Sequence, residues 1–462
     1  MSDAITIGEL KPYPEYKDSE VPWLGMVPKH WKVQRAKFLF KSEKKLNFDG
    51  VEKNILSLTL RGVVNNDPKN PEGLVPKDYA TYQIFERGDL VFKLIDLENL
   101  RTSRVGLVHE RGIMSPAYIR LESINNGHID FFYRQFYDLY LRGIYNQLGA
   151  GVRSTLGQKD LLNIPILVPV KTEQILISNY LNYIEKTLHR TIYYKRKMLD
   201  LLNEQRQIII NLNLMQGTNP NVSIRLSEKK EIEEICNGWI SIKLKHVSQV
   251  QTGITLGKKY LGENLIEYPY LRVANVQDGY LDLKKIKTIR IPRSESVNRT
   301  LQYGDVLMTE GGDIDKLGRG YIWEGKIQNC LHQNHIYAVR VDKKRVLPQF
   351  LVALMTSYYG RHYFQKTAKQ TTNLASTNST ILKTFPLFLP NLEEQRKILA
   401  NIDKETSDLV IGIRKGHHEI DLIQEYRTRI ISDVITGKVD VRNLGIPGGS
   451  EGNGKAMGTV ND

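Results

Sequence analysis

The strongest constraint on this chain is that it contains one long passage twice. Pro165-Ile166-Leu167-Val168-Pro169, then Glu173-Gln174 and a long apolar-periodic run, returns as Pro386-Leu387-Phe388-Leu389-Pro390, then Glu394-Gln395 and a second such run. The register that carries Pro165 to Pro386 holds without a gap as far as Ile209-Ile210, which fall on Ile430-Ile431. Inside that window Leu188 meets Leu409, Ile192 meets Ile413, Asp200-Leu201 meets Asp421-Leu422, Glu204 meets Glu425 and Arg206 meets Arg427. A period this long does not describe a solenoid. It describes two copies of a globular piece plus a helix, a pseudo-two-fold molecule suited to a partner with two similar halves.

Both runs read as helix. In the first, apolar residues fall at Ile177, Leu181, Ile184, Leu188, Ile192, Leu199, Leu202 and Ile209, mostly three, four or seven apart, which keeps one stripe on one face. From Thr172 to Leu214 such a helix would be roughly 65 Å long. The second copy places its stripe at Ile398, Ile402, Leu409, Ile413, Ile420, Ile423, Ile430 and Val434, and opens with the capping box Asn391-Leu392-Glu393-Glu394. Gly416 in mid-helix costs about 1 kcal/mol against Ala and marks a place for a local bend. Neither stripe can stay in water. An antiparallel coiled coil within the chain buries both; the competing arrangement packs each helix on its own neighbouring domain.

Ahead of each helix lies a strand-rich domain. Ile55 to Leu60, Gly88-Asp89-Leu90-Val91-Phe92, Val105 to Val108 and Tyr118 to Leu121 read as short strands, with one helix from Phe131 to Leu141. Gly304-Asp305-Val306-Leu307-Met308 repeats the Gly88 segment more loosely, and Trp239 opens the second domain as Trp31 opens the first. The expected fold class is α+β, with two pseudo-repeated domains separated by two long helices that form an antiparallel coiled coil. The expected boundaries are an N-terminal extended arm (1–22), a first domain (23–163), a central long helix (164–217), a linker (218–235), a second domain (236–384), a C-terminal long helix (385–440) and a disordered tail (441–462).

Charge and composition narrow the function. Lys and Arg number 65 against 51 Asp and Glu, leaving +14, an excess that favours a polyanion because each neutralised phosphate releases condensed counterions. The two cysteines, Cys236 and Cys330, form no CxxC, and the ten histidines form no HxxxH or HExxH, so neither a disulfide framework nor structural zinc is expected. No targeting segment opens the chain and no window is apolar enough to span a bilayer, so a cytoplasmic protein without a membrane partner is expected.

Catalytic signatures are missing. Gly253-Ile254-Thr255-Leu256-Gly257-Lys258-Lys259 is one residue short of a P-loop and lacks its hydroxyl, and reads as a basic hairpin turn. No strand–GxGxxG–helix unit is present to hold a dinucleotide or S-adenosylmethionine. Glu310-Gly311-Gly312-Asp313-Ile314-Asp315-Lys316 offers carboxylates beside a lysine, but its glycines read as a flexible loop. The expectation is a protein with no catalytic or metal-binding residues and no cofactor of its own.

Basic, amide and aromatic loop residues are the candidates for recognition. In the first domain they are Arg61, Asn65, Asn66, Arg101, Arg104, Arg153, Ser154 and Thr155; in the second, Lys258, Lys259, Tyr260, Arg272, Asn275, Lys316, Arg319, Gln333, Asn334, His335, Lys369, Gln370 and Asn373. Arg can clamp guanine N7 and O6, Asn or Gln can pair with adenine N6 and N7, and Lys, Ser and Thr hold phosphates. The bland alternative for each is a solvated polar loop.

Over essentially its whole length the chain resembles the DNA-specificity subunit of type I restriction–modification systems. The resemblance rests on Tyr16-Lys17-Asp18-Ser19, Trp23-Leu24-Gly25, Pro28-Lys29-His30-Trp31, the doubled Pro-x-x-x-Pro…Glu-Gln helix, the Gly-Asp-Val-Leu segment and the closing Ile435-Thr436-Gly437-Lys438-Val439-Asp440. Glu20 departs from the glycine often found after the serine. The resemblance implies a non-catalytic reader whose two domains are target-recognition domains, one for each half of a split sequence in double-stranded DNA. It implies helices that set the spacing and carry two methyltransferase subunits, joined by restriction/translocase subunits. S-adenosylmethionine for adenine-N6 methylation, ATP and magnesium would then belong to those partner subunits. The rivals are a self-contained DNA methyltransferase–nuclease, for which the cofactor glycines are missing, and a coiled-coil scaffold that binds no DNA.

Overall fold

The structure is a computed structural model that describes residues 10–66, 79–95, 97, 103–124, 127–149, 155–218, 224–226, 234–236, 238–257, 264–277, 279–312, 317–370 and 375–444. It divides into two units, one made of residues 1–194 and 419–462 and the other of residues 195–418. The two long helices, Lys171–Gln216 and Leu392–Ile435, each contribute one part to either unit.

In the first unit a four-stranded antiparallel sheet runs in the order Phe40–Lys41, Ile119–Ser123, Leu90–Phe92, Val105–Leu107. The helix Ile129–Leu141 covers it, with Phe131, Phe132 and Phe136 fully buried and edge-on to Trp31, Phe40 and Phe92. Each such ring contributes roughly 1.5–3 kcal/mol by leaving water. The same core takes in Ile177, Leu181 and Ile184 from the first long helix and Ile430, Ile431 and Val434 from the second.

The second unit repeats this frame. Its four-stranded sheet runs Ser248–Thr252, Ile336–Val341, Val306–Thr309, Gly320–Ile322, with every pairing antiparallel as before. Helices Pro348–Thr356 and Tyr358–Thr367 follow, and their Phe350, Leu351, Leu354 and Phe364 are buried with Ile398 and Ile402 of the second long helix. Between the shared strands the units differ. The first carries the hairpin Leu56–Thr59/Gly62–Asn65 and the pair Gln83–Phe85/Gly112–Met114. The second carries a mixed sheet of Leu265–Leu271, Lys287–Pro292 and Leu331–His332, and a small sheet of Gly311–Gly312, Ala375–Ser376 and Lys369–Gln370.

The duplicated Pro segment is a strand, which shortens the helical regions expected over 164–217 and 385–440. Pro165–Val168 pairs antiparallel with Lys32–Arg35, and Pro386–Leu389 pairs in the same register with Ile240–Lys243. The glutamine that follows is a clip. Gln174 donates to Pro169 O (2.8 Å) and accepts from His128 N (2.8 Å); Gln395 donates to Pro390 O (2.9 Å) and Arg345 O (2.8 Å) and accepts from Leu347 N (2.9 Å). The repeated Gly-Asp is also structural. Gly88 and Gly304 sit at φ +93° and +92°, where a side chain is strained, and Asp89 and Asp305 each take an arginine of the neighbouring strand, Arg120 and Arg340.

The long helices pair antiparallel. In the first unit Glu185 meets Arg427 at 2.7 Å; in the second Asn213 meets Glu405 at 2.9 Å and Asn401 at 2.6 Å. Gly416 does not interrupt its helix. A Cβ there would lie 2.6 Å from Leu199 Cδ2, so the glycine permits close approach of the two helices.

The N-terminal arm is not a free extension. Tyr16–Asp18 pairs with Met26–Pro28, Lys11 bridges to Asp440, and buried Tyr13 donates to Glu173 at 2.7 Å. Glu173 also accepts from Trp31 Nε1 (3.1 Å) and meets His30 Nε2 (2.9 Å), so one buried carboxylate ties the chain's opening to the start of the first long helix.

Candidate nucleic-acid interface

In the first unit the exposed candidates cluster on the hairpin Leu56–Thr59/Gly62–Asn65. Arg61 stands at its tip, where the Thr59 hydroxyl accepts from Arg61 N (3.1 Å) and donates to Gly62 O (3.1 Å). Asn65 is exposed on the return strand, and Asn66 donates to Ser57 Oγ at 2.9 Å. Thr155 is exposed elsewhere on the unit. Arg104 needs correction: it is 1% exposed and donates to Ile95 O at 3.1 Å, so it holds the segment after Phe92 and is turned away from any ligand. Arg101, Arg153 and Ser154 lie outside the described residues.

In the second unit candidates from distant stretches of sequence converge on one turn, Gln333-Asn334-His335, at the start of strand Ile336–Val341. On one side of it Gln333 N donates to Leu271 O (2.9 Å) and Gln333 Oε1 faces Val273 N (3.4 Å), beside Arg272. Asn334 N donates to Ile254 O (3.1 Å), and Ile254 N donates to His332 O (2.8 Å). Gly253 is required there: a Cβ would fall 2.0 Å from His332 O. Burial pushes the His332 imidazole down to about 4, so it stays neutral beneath the turn.

On the other side His335 Nδ1 lies 2.5 Å from Glu310 Oε2, while Glu310 Oε1 accepts from the Tyr337 hydroxyl at 2.7 Å. Glu310 is pinned through its backbone as well, donating to His335 O (2.9 Å) and accepting from Thr377 N (2.8 Å). Burial first, then the carboxylate, raise the Tyr337 phenol far above its ordinary range, so it acts only as a neutral donor. Gly311 continues from Glu310 into a strand beside Ala375–Ser376, whose far side is Lys369–Gln370, with Lys369 exposed. The glycine pair expected to form a flexible loop is therefore an ordered strand. Arg319 lies beside the same segment, its carbonyl facing Thr309 N at 3.4 Å.

The structure thus brings Arg272, Gln333, Asn334 and His335 to one turn; Arg319 meets Thr309, the residue before Glu310, and Lys369 pairs with Ser376, which pairs in turn with Gly311. Asn275 is a correction: it is 4% exposed, its oxygen accepts from Arg272 N and its amide donates to Asp282 O and Lys285 O, so it closes a turn. Of Gln370 only the backbone is described, and Lys258, Lys259, Tyr260, Lys316 and Asn373 lie outside the described residues. Sequence reasoning passed over Glu310 and Tyr337 as parts of this site. The signal available was spacing, since His335 and Tyr337 are two apart at the head of a strand and share a face. Among the described residues no group of His, Cys, Asp and Glu could hold a metal ion, and no helix is long and apolar enough to cross a membrane.

The comparisons with known proteins agree with one another. The family model of the type I restriction modification DNA specificity domain matches residues 237–415. The chain is similar to the putative type I restriction enzyme MjaX specificity subunit of Methanocaldococcus jannaschii, 28% identical over 211 residues that cover 45% of this chain and 48% of the relative. It spans about half the length of that relative. The type I restriction enzyme MjaVIII specificity subunit of the same organism is 26% identical over 347 residues, covering 72% of this chain and 76% of the relative. A solved chain from work on complex assembly and conformational transition of the type I R-M system shares the fold, with a TM-score of 0.58 at 14% identity, covering 88% of this chain and 98% of that one. With the duplicated frame described above, these likenesses make the chain similar to type I restriction–modification DNA-specificity subunits, with residues 237–415 matching the model of their DNA specificity domain.

Proposed function

We propose that this chain is a non-catalytic, sequence-specific reader of double-stranded DNA whose two strand-rich parts each recognise one half of a bipartite target. The observation that carries this reading is one frame built twice, with the same strand order and the same glutamine clip, from which different loops project. A shared frame with divergent loops suits one task performed on two different sequences. The excess of 14 positive charges supplies the sequence-independent attraction to phosphate. In this reading the long helices set the gap between half-sites and carry two methyltransferase subunits, and restriction/translocase subunits join that core. Adenine-N6 methylation with S-adenosylmethionine, and the use of ATP and magnesium, belong to those partners. The complex acts on cytoplasmic DNA.

The test is selection of bound fragments from a duplex library by the full chain, with and without a co-expressed methyltransferase subunit. The expected product is a split motif whose half-site centres lie about one helical turn apart, roughly 10 base pairs. Exchanging residues 239–383 for those of a relative should change one half only, and inserting four residues into one long helix should change only the spacer. A chain that selects no motif in either condition, or whose two halves change together, overturns the reading.

A further inference from the structure

The Glu310–His335 contact has a direct chemical consequence. A carboxylate can only accept, and Glu310 already takes the Tyr337 hydroxyl on one oxygen and His335 Nδ1 on the other. The His335 proton therefore sits on Nδ1. In the neutral imidazole this leaves Nε2, on the far edge of the ring, as a lone-pair acceptor. No described residue takes up that atom, and the His335 side chain is 54% exposed whereas its Glu310 partner is 29% exposed. Four hydrogen bonds, two to the carboxylate and two to the Glu310 backbone, fix the direction in which the ring points. An exposed ring held this firmly, with one hydrogen-bonding atom left free by the described residues, is built to recognise something.

We propose that His335 reads the edge of a base carrying an exocyclic amino group, adenine N6 or cytosine N4, through the Nε2 lone pair of its neutral ring, whose single proton Glu310 holds on Nδ1. This rests on the chain being a DNA reader. In the major groove only those two amino groups donate; guanine and thymine offer N7, O6 and O4, which accept and would face a lone pair with a lone pair. Glu310 and Tyr337 are positioning residues in this arrangement: they touch no base and act by holding the tautomer and angle of His335. Lys369 and Arg319, as cations, suit the neighbouring phosphates.

The experiment is sequencing of the bound fraction from a fully randomised duplex library, using the full chain and two variants. His335→Ala changes an exposed side chain, and one position that is adenine or cytosine in the wild-type motif should become degenerate, with affinity for the cognate duplex falling about fivefold to tenfold. Glu310→Gln is the sharper variant. Tyr337 still donates to the amide oxygen, so the new amide nitrogen faces Nδ1 and donates to it. The His335 proton then moves to Nε2, which becomes a donor, and the preference at that same position should turn to guanine or thymine. The inference is overturned if His335→Ala leaves every position as selective as before, or if Glu310→Gln leaves the preference at that position unchanged. It is also overturned if His335→Ala weakens all sequences alike with a shallower salt dependence, which is the signature of a phosphate contact. A wild-type chain that enriches no motif removes the DNA-reading function itself, and the inference with it.

Discussion

At corresponding positions of the duplicated helices the two units have solved one packing problem differently. In the first, Glu185 lies between two arginines, 2.6 Å from Arg134 and 2.7 Å from Arg427. Burial works against its charge, but the two guanidinium groups outweigh that and hold its carboxyl below the ordinary glutamate value. In the repeat, Arg206 stands where Arg427 stood, but Thr406 stands where Glu185 stood. Thr406 gives its hydroxyl to Ile402 O; Arg206, like Arg427, has a buried Nε with no hydrogen-bond partner, but among the described residues no carboxylate meets its guanidinium as Glu185 meets that of Arg427. Where the first unit is filled by an ion triad, the second has a cleft of about 760 Å³, lined by Arg206, Gln207, Arg414, Val352, Ala353 and Thr356 among others. The lesson is that a repeated apolar stripe fixes the helix pairing, while the charges beside it are free to diverge.

Removing Glu185 should break this comparison most forcefully. Glu185→Thr copies the second unit's choice into the first, and removes one charged contact each from the almost fully buried Arg134, which keeps Asp130 and Asn182, and from Arg427. The expected cost is about 3–5 kcal/mol in urea unfolding, with hydrogen-exchange protection lost first from Ile129–Leu141. A cost under about 1 kcal/mol would mean that the triad is ornamental and that the units are equivalent after all.

The repeated Gly-Asp clamp separates the units next. Arg120 is 1% exposed in its pair with Asp89, whereas Arg340 is 32% exposed in its pair with Asp305. Both carboxylates are buried, but removing the part-exposed Arg340 opens a path for water to Asp305, so Arg120→Ala should cost about 3 kcal/mol and Arg340→Ala about 1 kcal/mol. Hydrogen exchange at Leu90–Phe92 and Val306–Thr309 localises each loss. Equal losses would show that burial of the arginine does not decide the matter.

The parts of the molecule legible in the sequence are those set by periodicity. Apolar spacing from Ile177 to Leu214, and again from Ile398 to Val434, foretold both long helices and their pairing, because only a continuous stripe needs a continuous partner. The Pro segments were harder to read: five apolar residues before a helix look like its first turn, and only their pairing with Lys32–Arg35 and Ile240–Lys243 makes them strands. In the candidate interface, residue type singled out the exposed His335 and Lys369 and the buried Asn275 and Arg104 alike. An amide or guanidinium that closes a turn and one that faces a ligand have the same letter in sequence, and burial alone distinguishes them. Glu310 was hidden for the opposite reason. Its role lies in contacts to His335 and Tyr337, residues that follow more than twenty positions later.

The units should also answer acid differently. His332, buried in the second unit, has its pKa lowered from 6.5 to about 4, so the unfolded chain takes up its proton first as pH falls. Its contribution is complete above pH 6.5, declines between 6.5 and about 4, and amounts to roughly 2 kcal/mol lost by pH 5. Glu185 has the opposite chemistry but the same sign: its stabilisation is present above the ordinary glutamate range and disappears only as pH falls through the lower folded value. Urea unfolding at pH 7 and pH 5 should therefore show a smaller pH effect in His332→Gln than in wild type, while Glu185→Gln leaves that interval unchanged. A pH effect in this interval that follows Glu185 instead of His332 would reverse the assignment.

The smallest effect is the most discriminating, because it tries to rebuild one unit's solution in the other. Thr406→Glu places a carboxylate at the repeat position of Glu185, on the helix that faces Arg206. Two terms oppose each other. The new carboxylate is desolvated, since Thr406 is 4% exposed, but it gains a guanidinium that has no acid partner among the described residues and that itself borders the cleft. The third member of the first unit's triad has no counterpart, because Val352 and Ala353 line the cleft on the side where an arginine would have to stand. One pair without the second arginine should therefore yield about 0.5–1 kcal/mol of stabilisation at pH 7 and none at pH 3, where the carboxyl is protonated. The double variant Thr406→Glu with Arg206→Ala should be less stable than wild type, because the acid is then buried alone. If Thr406→Glu destabilises as much with Arg206 present as without it, the two side chains do not meet, and the correspondence between Arg206 and Arg427 ends with the sequence.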